Sequence, residues 1–143
     1  MSTFVDHHLG YSPFVEVTQE MVSTFADATG DHQWIHVDPE RAARGPFGGT
    51  IAHGYLLISL IPGLLNQVLE VDEPGTRINY GLNRVRFLTP VLVGSRVRIG
   101  ARVASVEAVG EGWQIILDVT MELSDVEKPA AVAQVLYRWY DHE

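Results

Sequence analysis

The sequence contains no cysteine. That absence removes thiolate nucleophiles, disulfide scaffolds and cysteine-ligated zinc from consideration. Basic residues are scarce: ten Lys and Arg stand against eighteen Asp and Glu, a formal net charge of -8. A chain with that balance repels phosphate backbones, so nucleic acid is not an expected partner. Long uninterrupted hydrophobic runs are also missing. The most apolar stretch, 51–69, is broken by His53, Gly54, Ser59, Pro62, Gly63, Asn66 and Gln67, too much polarity for a membrane span. The first ten residues lack the basic and apolar regions of a secretory signal. A cytoplasmic protein without membrane contact is the expectation.

What remains is an ordinary globular composition, 46% hydrophobic and 20% charged over 143 residues. Disorder is excluded as the main state. The length predicts one domain, 1–143, able to bury a core without metal or disulfide support.

The texture changes along the chain. Val15 to Val17 reads as a short extended piece, after which Thr18 caps a helix with Glu20 in its first turn. Met21, Val22, Phe25 and Ala28 form its apolar stripe, and Gly30 ends it. Residues 31–50 read as irregular, and so long an excursion in a compact domain points to function. Ala52 to Leu69 then reads as a helix apolar on nearly every face, with a kink at Pro62.

From Thr76 onward the period switches to two. Val97, Ile99, Ala101 and Val103 alternate with Arg96, Arg98, Gly100 and Arg102. Ile115 to Met121 and Ala131 to Trp139 repeat the pattern. The phase slips near Asn83, which predicts a bulge, and Gly110-Glu111-Gly112 reads as a hairpin connection. An all-apolar helix followed by long strands requires an antiparallel sheet that wraps the helix around its circumference, an α+β roll with edges open to a second copy.

Between Gly30 and Pro39 the chain holds Asp31, His32, His36 and Asp38. Read blandly, these are solvated loop residues. The alternative pairs Asp31 with His36, a carboxylate and an imidazole that together hold one water and move its protons. Positions i and i+5 lie about 140° apart on a helix, so the pair converges only if the chain curls. A metal site of Asp31, His32, His36 and His53 is a further option, although the spacing matches no known ligand motif. Ser59 and Ser95 lack a nucleophile-elbow context.

Gly54 opens the apolar helix, where unpaired N–H groups either polarise a carbonyl or merely allow close packing. Arg77, Arg84, Arg86, Arg96, Arg98 and Arg102 fall in 74–106, a stretch without acids. They make up either a local anion site or a solvated sheet face.

Three segments resemble one family. Phe25 through Ala43, with Gly30-Asp31 followed by Ile35-His36, is similar to the signature of the MaoC-like dehydratases and (R)-specific enoyl-CoA hydratases. Ile51-Ala-His-Gly-Tyr-Leu-Leu-Ile-Ser-Leu resembles the start of that family's central helix, and Phe87-Leu-Thr-Pro-Val-Leu-Val-Gly-Ser its following strand. The wording around Gly30 to Arg41 most resembles the nodulation-protein-N-like branch.

The resemblance implies a hot-dog fold and a homodimer joined sheet edge to sheet edge. It also implies cofactor-free hydration of trans-2-enoyl-CoA to (3R)-3-hydroxyacyl-CoA, with no metal. By position, Asp31 and His36 hold and activate the water, either one serving as base and the other as acid, and the Gly54 N–H meets the thioester oxygen. Trp34 and Tyr55 are the expected substrate contacts, and Arg84 or Arg86 the phosphate contacts. The family's usual Asn-Pro is Gln33-Trp34 here, and a serine that supports the aspartate in some members is Pro62. Rival readings are a hot-dog thioesterase, a dehydratase acting on acyl-carrier protein, and a non-catalytic acyl-CoA-binding module.

Overall fold

The computed structural model describes residues 6–69 and 75–141. Its core is built by period-two alternation. Strand β4 (Arg96–Val109) turns Val97, Ile99, Ala101 and Val103 inward, β5 (Gly112–Leu123) does the same with Ile115, Leu117, Val119 and Met121, and β6 (Ala131–Asp141) with Ala131, Ala133, Val135 and Tyr137. Each such aliphatic side chain contributes roughly 1.5–3 kcal/mol when fully buried. A bulge between Val103 and Ser105 resets the phase of β4, so that Val106 also packs on the core.

Two short strands, β1 (His8–Tyr11) and β2 (Val15–Glu16), pair with β4, and β3 (Gly75–Phe87) pairs with β6. The result is a six-stranded antiparallel sheet in the order β1-β4-β5-β6-β3, with β2 beside β4. The turn Gly110-Glu111 closes the β4–β5 hairpin, with Gly110 at φ 58°. In β3 the register shifts between Leu82 and Arg84, the bulge expected near Asn83, and again between Asn79 and Gly81. Strand β1 had no signature in the sequence.

Helix α1 (Gln19–Thr29) starts where Thr18 accepts a hydrogen bond from the Met21 N–H and stops at Gly30, whose φ of 85° only glycine adopts readily. Its buried positions are Val22 and Ala26, one helical turn apart. Ala28 is exposed, so the expected stripe is corrected by two residues. The stretch 31–50 is not wholly irregular: it holds the short helices α2 (Trp34–Val37) and α3 (Pro39–Ala43).

The central helix α4 spans only Gly54–Leu65. Residues 50–52 are instead extended: the Ala52 N–H donates to the Val91 carbonyl at 2.8 Å and the Val93 N–H to Thr50 at 2.9 Å. Leu56, Leu57, Ile61, Leu64 and Leu65 form the buried stripe of α4 under the concave face of the sheet, with Pro62 inside the helix. The opposite side, including Tyr55, Ser59 and Gly63, is open. The sheet therefore wraps α4 from one side, not around its whole circumference. Among the described residues no helix is long and apolar enough to cross a membrane.

Gly112 marks the tightest point of the sheet. A Cβ there would lie 2.5 Å from the Trp139 carbonyl oxygen and 2.6 Å from Cδ1 of Tyr140. Gly112→Ala is expected to cost about 1–3 kcal/mol and to lower Tm by roughly 3–10 °C in a thermal melt.

Candidate active site

The abrupt end of α1 at Gly30 turns the chain and places Asp31 at the head of a loop. The Asp31 Oδ1 accepts the N–H of Gln33 at 3.4 Å, and Asp38 caps α3 by accepting the Arg41 N–H at 3.2 Å. Between these turns the single helical turn α2 carries His36 inward, where it is 6% exposed. The curl that the i to i+5 spacing requires is thus made by two side-chain-to-backbone turns. Asp31, His36 and His53 each bring one polar side-chain atom to within 4.8 Å of the others.

Hydrogen bonds fix how these groups face one another. His36 Nδ1 lies 2.7 Å from the carbonyl oxygen of Ile51. A carbonyl only accepts, so Nδ1 carries the proton and the neutral ring presents a lone pair at Nε2. His53 Nε2 donates in the same way to the backbone carbonyl of Asp31 at 3.0 Å. The two imidazoles stack with centroids 3.8 Å apart and planes 21° apart. Gln19 ties the group to α1: its amide donates to the His36 carbonyl at 2.8 Å and its oxygen accepts from Thr50 at 2.7 Å. Neither Gln19 nor the tether of His53 had a signal in the sequence.

An open cavity of about 240 Å³ adjoins the cluster, lined by His36, Ala52, Gly54, Leu57, Phe87 and Pro90 among others. Gly54 is the first residue of α4, so its N–H has no partner within the helix. A Cβ on Gly54 would stand 2.8 Å from the Phe87 ring. The glycine therefore serves close packing and an open N–H together.

A profile of the MaoC-like domain matches residues 2–123. The chain is 53% identical over 132 residues to 3-hydroxyacyl-thioester dehydratase Z of Mycobacterium tuberculosis, covering 92% of this chain and 87% of that one. It is 43% identical over 134 residues to Nodulation protein N of Rhizobium leguminosarum bv. viciae, covering 90% and 82%. The solved (R)-hydratase from A. caviae involved in PHA biosynthesis superposes with a TM-score of 0.77 at 26% identity, covering 93% and 94%. The chain belongs to the MaoC-like dehydratase family. Its roll of sheet around α4 is the hot-dog fold.

Not every expected residue of this MaoC-like site reaches the cavity. Trp34 is turned aside, under the Arg41 guanidinium at 4.4 Å and against Gly45. Tyr55 is 76% exposed on the open side of α4. Within one chain neither of these expected substrate contacts lines the cavity. Ser59 donates its hydroxyl to the Tyr55 carbonyl at 2.7 Å.

The six arginines do not form one site, because β5 and β6 separate β3 from β4 by roughly 14 Å. Arg98 pairs with Glu122 at 2.8 Å, and Arg102 donates to the Asp6 carbonyl at 3.1 Å. Arg84 and Arg86 stand exposed on β3, both in register with outward-facing residues of β6.

As a metal centre the cluster fits poorly. His36 Nδ1 and His53 Nε2 are committed to carbonyls. The lone pairs that remain lie in the planes of two nearly parallel stacked rings, whereas one ion must sit about 2.0–2.1 Å from both nitrogens. His32 has left the group altogether: exposed, it pairs with Asp27 at 2.9 Å.

The hydrogen bond to Asp27 raises the pKa of His32, and the nearby carboxylate charge adds to the effect. A raised folded-state pKa stabilises below the ordinary histidine value and is lost as pH rises through the raised one. Asp27→Asn is expected to lower the His32 midpoint in an NMR titration.

Proposed function

We propose that this MaoC-like protein catalyses the reversible hydration of a trans-2-enoyl-CoA to the (3R)-3-hydroxyacyl-CoA. The observation that carries the reading is the Nδ1–H bond of His36 to Ile51, which leaves Nε2 as the proton acceptor of a ring that lines the cavity and clusters with Asp31. The name of the mycobacterial relative, a dehydratase of 3-hydroxyacyl thioesters, supports the same reaction in reverse.

In this reading the substrate thioester oxygen sits at the Gly54 N–H, where the N-terminus of α4 stabilises the developing enolate charge. Asp31 and His36 hold one water. As its oxygen bonds to C3, one water proton passes to His36 Nε2, and the electrons of the C2–C3 double bond move toward the thioester oxygen. The protonated imidazole then delivers that proton to C2, the enolate collapses, and both side chains return to their starting state. Asp31 orients the water by accepting its other hydrogen.

Strand β3 exposes Ile78, Tyr80, Leu82 and Phe87 at the sheet edge, next to the open side of α4. An apolar edge of this kind suits a second copy of the chain, so a homodimer accompanies the reading. In the dimer Tyr55, Arg84 and Arg86 stand near the seam, where the arginines meet CoA phosphates. CoA thioesters are intracellular, in keeping with a cytoplasmic location.

The test is incubation with crotonyl-CoA while following the conjugated enoyl-thioester absorbance. That absorbance is expected to fall while an (S)-specific 3-hydroxyacyl-CoA dehydrogenase finds no substrate. Asp31→Asn and His36→Gln should each lower kcat at least about a hundredfold. Release of free thiol would identify a thioesterase instead, and no turnover a binding module. Replacing Arg84 and Arg86 together by alanine should raise KM and leave kcat near wild type, with an unchanged KM assigning both to a solvated face.

A further inference from the structure

The hydration reading employs Asp31, His36 and Gly54 but leaves the imidazole that touches the first two without a role. His53 is 2% exposed, and a polar ring at so buried a position costs more to desolvate than the phenyl ring that would fill the same space. Its Nδ1 is buried without a hydrogen-bond partner, a deficit that packing alone does not explain.

We propose that His53 is a positioning residue that holds Asp31 and His36 in register with a single water. This rests on the hydratase reading and adds to it. His36 has one ring hydrogen bond, to Ile51, and a bond at one edge alone leaves the ring able to rotate about the Nδ1···O line. The flat face of His53, stacked 3.8 Å away at 21°, removes that rotation. Asp31 directly follows the left-handed Gly30, and its side chain is exposed. The Nε2–H of His53 reaches its backbone carbonyl at 3.0 Å and ties the loop to the N-terminus of α4. One ring thus constrains the plane of the imidazole and the origin of the carboxylate. The Phe25 ring, 4.9 Å from His53, packs against this unit in turn.

Two substitutions separate the contacts. His53→Phe keeps a flat ring beside His36 and Phe25 but has no donor for Asp31, whereas His53→Gln offers an amide N–H near the lost Nε2 but no ring face. With crotonyl-CoA, each is expected to lower kcat by about ten- to a hundredfold, the scale of a misplaced reacting group, with KM within about twofold of wild type. A side chain that merely fills the core would lower Tm and leave kcat of the folded protein unchanged, which would overturn the proposal. A rise in KM without loss of kcat would overturn it too, by making His53 a substrate contact. If His53→Phe fails to fold, His53→Gln carries the same comparison.

A readout independent of turnover is the ring-nitrogen spectrum of 15N-histidine-labelled wild type. The expected result is a proton on Nε2 of His53 and on Nδ1 of His36. The opposite tautomer at His53 would refute the tether whether or not the protein hydrates crotonyl-CoA. Inactivity of the wild type with the expected tautomers would count against the hydratase reading alone.

Discussion

Everything at the candidate site hangs from the seating of α4 under the concave sheet. Five aliphatic side chains of that helix, Leu56, Leu57, Ile61, Leu64 and Leu65, are buried against inward-facing residues of β4, β5 and β6. A contact of this size is worth several kilocalories per mole even after chain entropy is subtracted. It sets where the first residue of the helix stands. The extended strap 50–52, bonded to residues 91–93, then holds the segment before that residue against the connection between β3 and β4. His53 and Gly54 fall at the junction of strap and helix. Their positions follow from these two neighbours, and the loop 31–50 is bonded onto them through His36 to Ile51 and Asp31 to His53.

The loop is ordered the other way round, by polar groups that each have a defined partner. Gln19 divides its amide between the His36 carbonyl and the Thr50 hydroxyl, so α1, α2 and the strap meet through one side chain. In a partly buried setting such bonds gain strength from the low local dielectric, and an unpaired member is costly. The same logic sets the His36 tautomer, because the Ile51 carbonyl tolerates only a donor. The tautomer of each buried imidazole here is therefore set by a backbone carbonyl.

How much of this could be read from the chain depends on the length over which each pattern acts. The inner faces of β4, β5 and β6 were legible, since alternation repeats many times in each strand and every repeat reports burial. In α1 the pattern does not separate Ala26, which is buried, from Ala28, which is exposed, because alanine at either position satisfies the apolar pattern. The arginines of 74–106 looked like one group because sequence proximity hides sheet order, which places two strands between them. Asp31 and His36 were visible as a motif but not as a geometry, for the two turns that bring them together depend on ordinary residues such as Gln33 and Asp38. The stacking of His53 on His36 joins positions 17 residues apart through the seating of α4, a tertiary relation with no local trace.

The pairing of β3 with β6 also has a consequence in time. Strand β3 is complete at Phe87, but its partner opens only at Ala131. During synthesis at roughly 5–20 residues per second, β3 waits several seconds with both edges bare. A regular alternating strand exposed for that long invites pairing with other nascent chains. Strand β3 is irregular where it matters: two bulges interrupt its register, and Arg84 and Arg86 interrupt its apolar residues. A stray strand that docked on the side β6 will occupy would have to match both dislocations, so the bulges guard that side until β6 arrives, while the outer edge stays free for a folded second copy.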